Sequence, residues 1–181
     1  MPGQADAIDR ICQWLDAWRQ HTPAGPWWPE RVTLADLRAG YPAQPGPARP
    51  SWCYGIPGLA RAQQLAAIAR RDHDRQVAAE HALARCLADP AQLARLTDPY
   101  LCHGWAGLVA TVWYAAADAA TPALAAHLPG LCDALITHAT ATSSADPLPG
   151  LIEGRAGVAI TLHTIATVAT AAAWPACLLI N

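Results

Sequence analysis

The sequence predicts an all-α fold, and two observations support this class. The first is a pair of glycines three residues apart that occurs three times, each time ahead of a run typical of a helix. These glycines are Gly55 and Gly58, Gly104 and Gly107, and Gly154 and Gly157. The spacing between successive pairs is about 50 residues, a period that is typical of repeat architectures. The second observation is that the stretches between the pairs carry apolar residues at helical spacing. Each pair therefore predicts the start of an inner helix, with outer helices returning between them.

Length and composition limit the possible functions. A chain of 181 residues is expected to form one domain over 1–181, with a core of useful size. The net charge is −2 and no basic run occurs, so nucleic acid is not a predicted partner. No charged segment followed by an apolar stretch occurs near Met1, so no signal peptide is predicted. We therefore expect a cytoplasmic protein.

The N-terminal part predicts one outer helix followed by a long connection. Residues 6–20 have an apolar stripe at helical spacing. Residues 21–51 hold seven of the sixteen prolines, and we interpret them as a surface connection in preference to a binding loop. Within it, Thr33 as N-cap and Gly40 as stop predict a short helix. The adjacent Trp27 and Trp28 should pack down, because two exposed indoles are costly.

The rest of the chain alternates predicted inner and outer helices. Inner helices are expected over 59–70 and 105–118, and outer helices over 77–87 and from Thr121 onward, with Pro122 at the first helical position. Residues 139–149 are small and polar and predict a loop. Residues 156–180 carry no charge, and a buried inner helix is favoured over a membrane span. His163 is then interpreted as a core histidine.

Four of the six cysteines are interpreted as structural. Cys12, Cys86 and Cys132 lie on apolar helical stripes, and Cys177 lies in the apolar tail. We predict buried, reduced thiols at these positions in preference to disulfides.

The other two cysteines suggest a metal site. Cys53 and Cys102 each stand two residues before the first glycine of a pair, and His103 follows Cys102 directly. Parallel inner helices would bring both thiols to one end of the fold. Two thiolates and one imidazole suit zinc and leave a fourth position open, and a helix N-terminus favours the thiolate form. The alternative is a packed thiol beside an incidental histidine. His73 and His81 are weaker ligand candidates.

The residues around these positions resemble a known family. The stretch Trp52-Cys53-Tyr54-Gly55-x-Pro57-Gly58 and the stretch Leu101-Cys102-His103-Gly104-x-x-Gly107 are similar to motifs of the lanthionine synthetase C family, the lanthipeptide cyclases. Residues 150–157 resemble that family's last inner-helix start. The resemblance covers the whole chain but only the C-terminal half of a full-length cyclase. It implies a partial α/α toroid with zinc held by Cys53, Cys102 and His103. Arg49, four residues before Cys53, matches a family position that stabilises developing negative charge.

The resemblance also implies an activity and a substrate. In the family, a peptide cysteine thiol adds to a dehydrated Ser or Thr of a precursor peptide to form a thioether ring, and an enolate must then be protonated. The implied histidine and aspartate for this proton transfer lie on earlier inner helices, and no residue of this chain matches them.

Three interpretations therefore stay open. The chain is a cyclase fragment that works with a complementary N-terminal half or a dehydratase, a non-catalytic zinc module that binds thiol peptides or glutathione, or a structural remnant. Whether it is an enzyme by itself is left undecided by the sequence.

Overall fold

A computed structural model describes residues 3–141, 149–168 and 173–180 of the chain. α-Helices dominate these residues. In chain order they are α1 (Gln4–Trp18), α2 (Leu34–Ala39), α3 (Ile56–Arg70), α4 (His73–Leu87), α5 (Pro90–Leu93), α6 (Trp105–Ala117), α7 (Leu128–Ala141) and α8 (Arg155–Thr167). Two 3-10 helices cover Ala125–His127 and Trp174–Leu178. The all-α prediction is confirmed, apart from one small ribbon.

The helices form two layers. The three helices that begin at the glycine pairs lie side by side in the order α3, α6, α8, while α4 packs behind α3 and α7 packs behind α6. Helix α6 is central and is buried along nearly its whole length, as its continuous apolar sequence predicts. Its side chains Leu108, Val109 and Val112 are fully buried in the main apolar cluster. This row of inner helices fixes where their N-termini meet.

Two contacts at different heights show that α3 and α6 run in the same direction. In the middle of α3, the side-chain amide of Gln64 donates to the carbonyl of Ala115, in the last turn of α6, at 2.9 Å. Before their N-termini, the sulfur atoms of Cys53 and Cys102 are 3.6 Å apart. The predicted parallel arrangement of these two inner helices is therefore confirmed.

A small ribbon interrupts the proline-rich connection, which the sequence analysis did not predict. Strands β1 (Gln20–Thr22) and β2 (Gly25–Trp27) pair antiparallel. The guanidinium of Arg85 on α4 donates to the carbonyls of Pro23 and Ala24 in the turn, at 2.9 and 3.0 Å. These bonds hold the ribbon against α4.

Other predictions in this connection are confirmed. Both Trp27 and Trp28 are buried, at 4% exposure each. The indole N–H of Trp28 donates to the carbonyl of Leu15 on α1 at 2.9 Å. Helix α2 begins with a capping box between Thr33 and Asp36 and ends at Gly40, in the left-handed conformation.

The C-terminal prediction was wrong in part. Helix α8 ends at Thr167, where Val168 adopts a left-handed conformation with φ 51°, and a 3-10 helix follows at Trp174–Leu178. A continuous inner helix over 156–180 is therefore excluded.

The face of α8 away from α6 is open, so His163 is exposed and is not a core histidine. Within the described ranges, no helix has the length and apolar character needed to cross a membrane.

Two further predictions need correction. The helix expected from Thr121 begins later, with the 3-10 turn Ala125–His127 and then α7. Of the four structural cysteines, Cys12 and Cys86 are buried as predicted, whereas Cys132 is half-buried and Cys177 is exposed. The thiol of Cys177 donates to the carbonyl of Trp174 within the short C-terminal 3-10 helix, which does not cover it. The loop predicted over 139–149 lies mostly outside the described residues, and α7 continues to Ala141.

Candidate metal centre

The three glycine segments, defined as residues 49–58, 100–107 and 150–157, share one backbone arrangement. In each, the second glycine lies in the first turn of an inner helix and faces a carbonyl oxygen six residues earlier. A Cβ atom would overlap the carbonyl of Trp52 at Gly58, of Leu101 at Gly107 and of Leu151 at Gly157. The residue directly after that carbonyl is Cys53, Cys102 or Ile152. The glycine therefore lets the chain fold back tightly enough to present this residue ahead of the helix.

Additional bonds fasten the first and second segments. In the first, the N–H of Tyr54 donates to Oγ of the buried Ser51 at 3.3 Å, and the N–H of Gly55 donates to the Ser51 carbonyl at 3.1 Å. In the second, the N–H of Trp105 donates to the carbonyl of Asp98 at 3.0 Å, and the N–H of Tyr100 donates to its carboxylate at 2.9 Å. Both cysteines thus stand on fixed backbone.

These segments bring the three predicted ligands together. The Sγ atoms of Cys53 and Cys102 are 3.6 Å apart, and Nδ1 of His103 is 3.4 Å from the Cys53 sulfur. All three donor atoms lie within 4.8 Å of one another. The candidate ligands His73 and His81 are not part of this group. Both cysteines are free thiols.

The distances suit a tetrahedral zinc ion. With Zn–S near 2.3 Å and Zn–N near 2.0–2.1 Å, ideal tetrahedral angles place two sulfurs about 3.8 Å apart and a sulfur and a nitrogen about 3.6 Å apart. The observed 3.6 and 3.4 Å differ from these by about 0.2 Å. Two sulfurs and an imidazole also match the ligand preference of zinc. The residues present therefore fit a zinc ion and leave one position for a further ligand.

The thiol of Cys102 is not activated by its surroundings alone. Its pKa is raised to about 11, chiefly by burial, with smaller contributions from the hydrogen bond and charge of Cys53 and from the charge of Glu153, while the charge of Arg49 acts in the opposite direction. The expectation that the helix N-terminus favours the thiolate is therefore outweighed at Cys102. A bound cation would favour deprotonation at neutral pH, as it does for metal-ligating thiols in general. Arg49 is half-buried and supplies positive charge to the cluster.

Glu153 borders the cluster and was missed by the sequence analysis. Its Oε1 is 3.7 Å from Nε2 of His103. It stands one residue before Gly154, as His103 stands one residue before Gly104, and this shared position was the available signal. The sequence analysis interpreted residues 150–157 as a helix start and assigned no role to Glu153.

A small apolar cavity of about 150 Å³ has Cys53 in its wall. Its walls include three indoles together with Cys53 and the exposed Tyr54; the indoles belong to Trp14, Trp18 and Trp28. A cavity of this size holds one aromatic or branched aliphatic side chain.

The sequence and the structure of the chain were compared with those of known proteins. A family model described as lanthionine synthetase C-like protein matches residues 1–179. None of the curated proteins matches the chain by sequence. The structure is similar to that of nisin cyclase, with a TM-score of 0.85 and 16% sequence identity; the match covers 99% of this chain and 44% of that chain. The chain thus spans less than half the length of nisin cyclase and has the fold of part of its α/α toroid. Both the expected family and the expected fold are confirmed: the chain belongs to the lanthionine synthetase C-like family.

Proposed function

We propose that Cys53, Cys102 and His103 bind one zinc ion, and that the chain contributes the thiol-activating part of a lanthipeptide cyclase. The observation that supports this most directly is the convergence of the three donor atoms within 4.8 Å, from segments about 50 residues apart. Family membership supports the reaction class. The proposed substrate is a dehydrated precursor peptide that carries a free cysteine.

The reaction forms one C–S bond. The sulfur of a peptide cysteine adds to the β-carbon of dehydroalanine or dehydrobutyrine, the electron pair of the double bond moves toward the neighbouring carbonyl, and the α-carbon then takes up a proton. A bound zinc ion would lower the pKa of the incoming thiol, so that the thiolate is available at neutral pH. No oxidant or reductant is needed.

The residues around the cluster supply positioning and charge. Arg49 is proposed to stabilise the negative charge that develops on the substrate carbonyl. The cavity beside Cys53 is proposed to hold an apolar side chain next to the reacting cysteine, which would orient the peptide. The proton for the α-carbon is proposed to come from a complementary N-terminal cyclase half, because the family's histidine and aspartate have no matching position in this chain. A dehydratase is a further proposed partner.

A second candidate function is a zinc module that binds thiol peptides or glutathione without forming rings. The cluster itself supports this alternative, since zinc and one open coordination position are enough to bind a thiol. The two proposals differ in one measurable property, which is whether thioether formation is restored by a second chain.

The proposed compartment and domain organisation follow from the same residues. Free cysteine ligands persist best where thiols are kept reduced, so we propose a cytoplasmic location. We also propose that residues 1–181 form a single lanthionine synthetase C-like unit, with 21–51 as its connection.

The test combines metal analysis with complementation. The purified chain is expected to hold about one zinc per molecule, and Cys102→Ala to lower this content sharply. Ring formation on a dehydrated precursor is then followed by mass spectrometry, with the chain alone and with a separately produced N-terminal cyclase half. Restored ring formation supports the cyclase, whereas zinc and thiol binding without restoration supports the binding module. A chain that never takes up zinc would refute both.

A further inference from the structure

We propose that Glu153 is a positioning residue for His103: its carboxylate accepts a hydrogen bond from Nε2–H of the imidazole and so presents Nδ1 to the metal. This inference rests on the proposed zinc site. It assigns a role to the third glycine segment, which provides no metal ligand of its own.

The imidazole ring of His103 is oriented with one nitrogen toward the cluster and the other toward Glu153. Nδ1 of His103 lies 3.4 Å from the Cys53 sulfur and therefore faces the cluster, whereas Nε2 lies 3.7 Å from Oε1 of Glu153. A neutral imidazole that ligates a metal through one nitrogen carries its proton on the other. Such an N–H is almost always donated to a carboxylate, a carbonyl or a water. Glu153 is the carboxylate at that side of the ring.

The separation is longer than a hydrogen bond but lies within reach. A direct N–H···O bond needs the oxygen to approach by roughly 0.7 Å from the present 3.7 Å. The Glu153 side chain is 65% exposed, so rotation about its own bonds is not blocked by packing. The His103 ring is 31% exposed and is more confined. The carboxylate is therefore the group that moves to complete the contact.

The backbone of Glu153 is fixed beside the ligand segment. The N–H of Cys102 donates to the carbonyl of Ile152, the residue before Glu153, at 3.0 Å. The side chain of Leu101 lies against Gly157, where an added Cβ atom would be 2.7 Å from it. The second and third glycine segments are thus locked together on both sides of Glu153. This fixed backbone keeps the Glu153 carboxylate near the His103 imidazole.

Positioning and simple charge make different predictions. The carboxylate of Glu153 has two separable properties, which are an oxygen that can accept the Nε2–H of His103 and a negative charge near the cluster. Glutamine keeps an oxygen that accepts this bond and removes the charge, whereas alanine removes both. The pair of substitutions separates the two effects.

The experiment measures zinc affinity and the protonation of His103. Zinc affinity is obtained by competition with a chromophoric chelator, and the tautomer of His103 in the zinc-loaded chain is read from long-range ¹H–¹⁵N NMR correlations. Glu153→Ala is expected to weaken zinc binding about 10- to 100-fold and to disturb the Nε2–H signal. Glu153→Gln is expected to keep most of the affinity and the same tautomer. Asp133→Asn, which removes an exposed carboxylate from α7, is the matched control and should bind zinc like the wild type.

The outcomes separate this inference from the proposed function. Zinc binding by the wild type that is equally tight in Glu153→Ala overturns the role of Glu153 and leaves the zinc site in place. Equal weakening by alanine and glutamine with an unchanged tautomer also overturns it, because charge alone then explains the effect. A wild-type chain without zinc overturns the site and this inference together.

Discussion

The carbonyl oxygen of Leu101 occupies the space where a Cβ atom of Gly107 would lie. The same relationship holds between Trp52 and Gly58. Each pair closes the turn that presents a cysteine directly after the carbonyl, so the second glycine of each segment controls the position of a candidate ligand.

Substitution of Gly107 is therefore expected to affect both stability and metal binding. In Gly107→Ala the new methyl group overlaps backbone, so the segment must shift, and we expect a loss of about 1–3 kcal/mol or more in the free energy of unfolding. Zinc content should fall as well, because Cys102 moves with the segment. Denaturant unfolding and metal analysis measure the two effects.

The matched control is Gly130→Ala on α7. A Cβ atom there meets nothing within 4 Å, and the residue lies within a helix. Alanine should stabilise the chain by about 0.5–1 kcal/mol, because glycine loses more backbone entropy in a helix. If both alanine variants behave alike, the close contact at Gly107 does not matter.

A buried arginine on α3 links this helix to the C-terminal end of α6 and to Ile180. Arg61 is 1% exposed and donates to Asp118 at 2.7 Å, to Gln64 at 2.6 Å and to the carbonyl of Ile180 at 2.9 Å. Burial lowers its pKa, and the hydrogen bond and charge of Asp118 oppose this. Asp118 therefore compensates a charge that is costly to bury.

Asp118→Asn is expected to reduce the free energy of unfolding by about 1–2 kcal/mol. This is the lower part of the range for hydrogen bonds to charged groups, because the Asp118 side chain is 44% exposed and water screens the pair. The control is Asp9→Asn, which removes the partner of Arg70 in a pair exposed on both sides and should cost clearly less, because water screens an exposed pair. Equal losses in chemical unfolding would contradict a special role for burial at Arg61.

Alkaline pH should destabilise the chain through Cys86. Burial raises the pKa of this thiol from 9.0 to about 12, and its Sγ donates to Oε1 of Gln92 at 3.3 Å. Because the folded pKa is above the unfolded one, the folded state keeps the proton between these values while the unfolded state loses it. The stabilisation is complete below pH 9 and is lost as pH rises toward 12.

The expected slope from this one group is about 1.4 kcal/mol per pH unit. In Cys86→Ala, the free energy of unfolding should be lower at neutral pH, because packing is lost, but should fall less steeply above pH 9. Unfolding curves at pH 8, 9 and 10 provide the comparison. Parallel pH dependence in both proteins would argue against titration of Cys86.

The local parts of the fold could be predicted because their causes lie in short stretches of sequence. The glycine pairs marked the starts of α3, α6 and α8, and Thr33 with Gly40 bounded α2. Cys53 and Cys102 occupy the same position in two successive repeats. In parallel inner helices, such residues lie at the same end of the fold, which was enough to predict that the two thiols meet.

The remaining features depend on neighbours that no local pattern describes. The exposure of His163 depends on the open outer face of α8, and a run without charges looks the same whether it is covered or not. The ribbon β1–β2 depends on Arg85, more than fifty residues away, bonding to its turn. The place of Glu153 beside His103 depends on the contact between the second and third glycine segments, where the N–H of Cys102 donates to the carbonyl of Ile152.

The final prediction concerns Arg49, whose proposed role is to stabilise charge on the substrate and not to hold the metal. In a mixture with an N-terminal cyclase half, Arg49→Ala is expected to slow ring formation on the order of 100-fold, as loss of one charge-stabilising donor does in other enzymes. Zinc content at saturating zinc should be unchanged, because the three ligands remain. Arg38→Ala, which removes an exposed arginine from α2, is the control and should cyclise normally. A parallel loss of zinc and rate in Arg49→Ala would instead place Arg49 in the support of the metal site, where it lowers the pKa of Cys102.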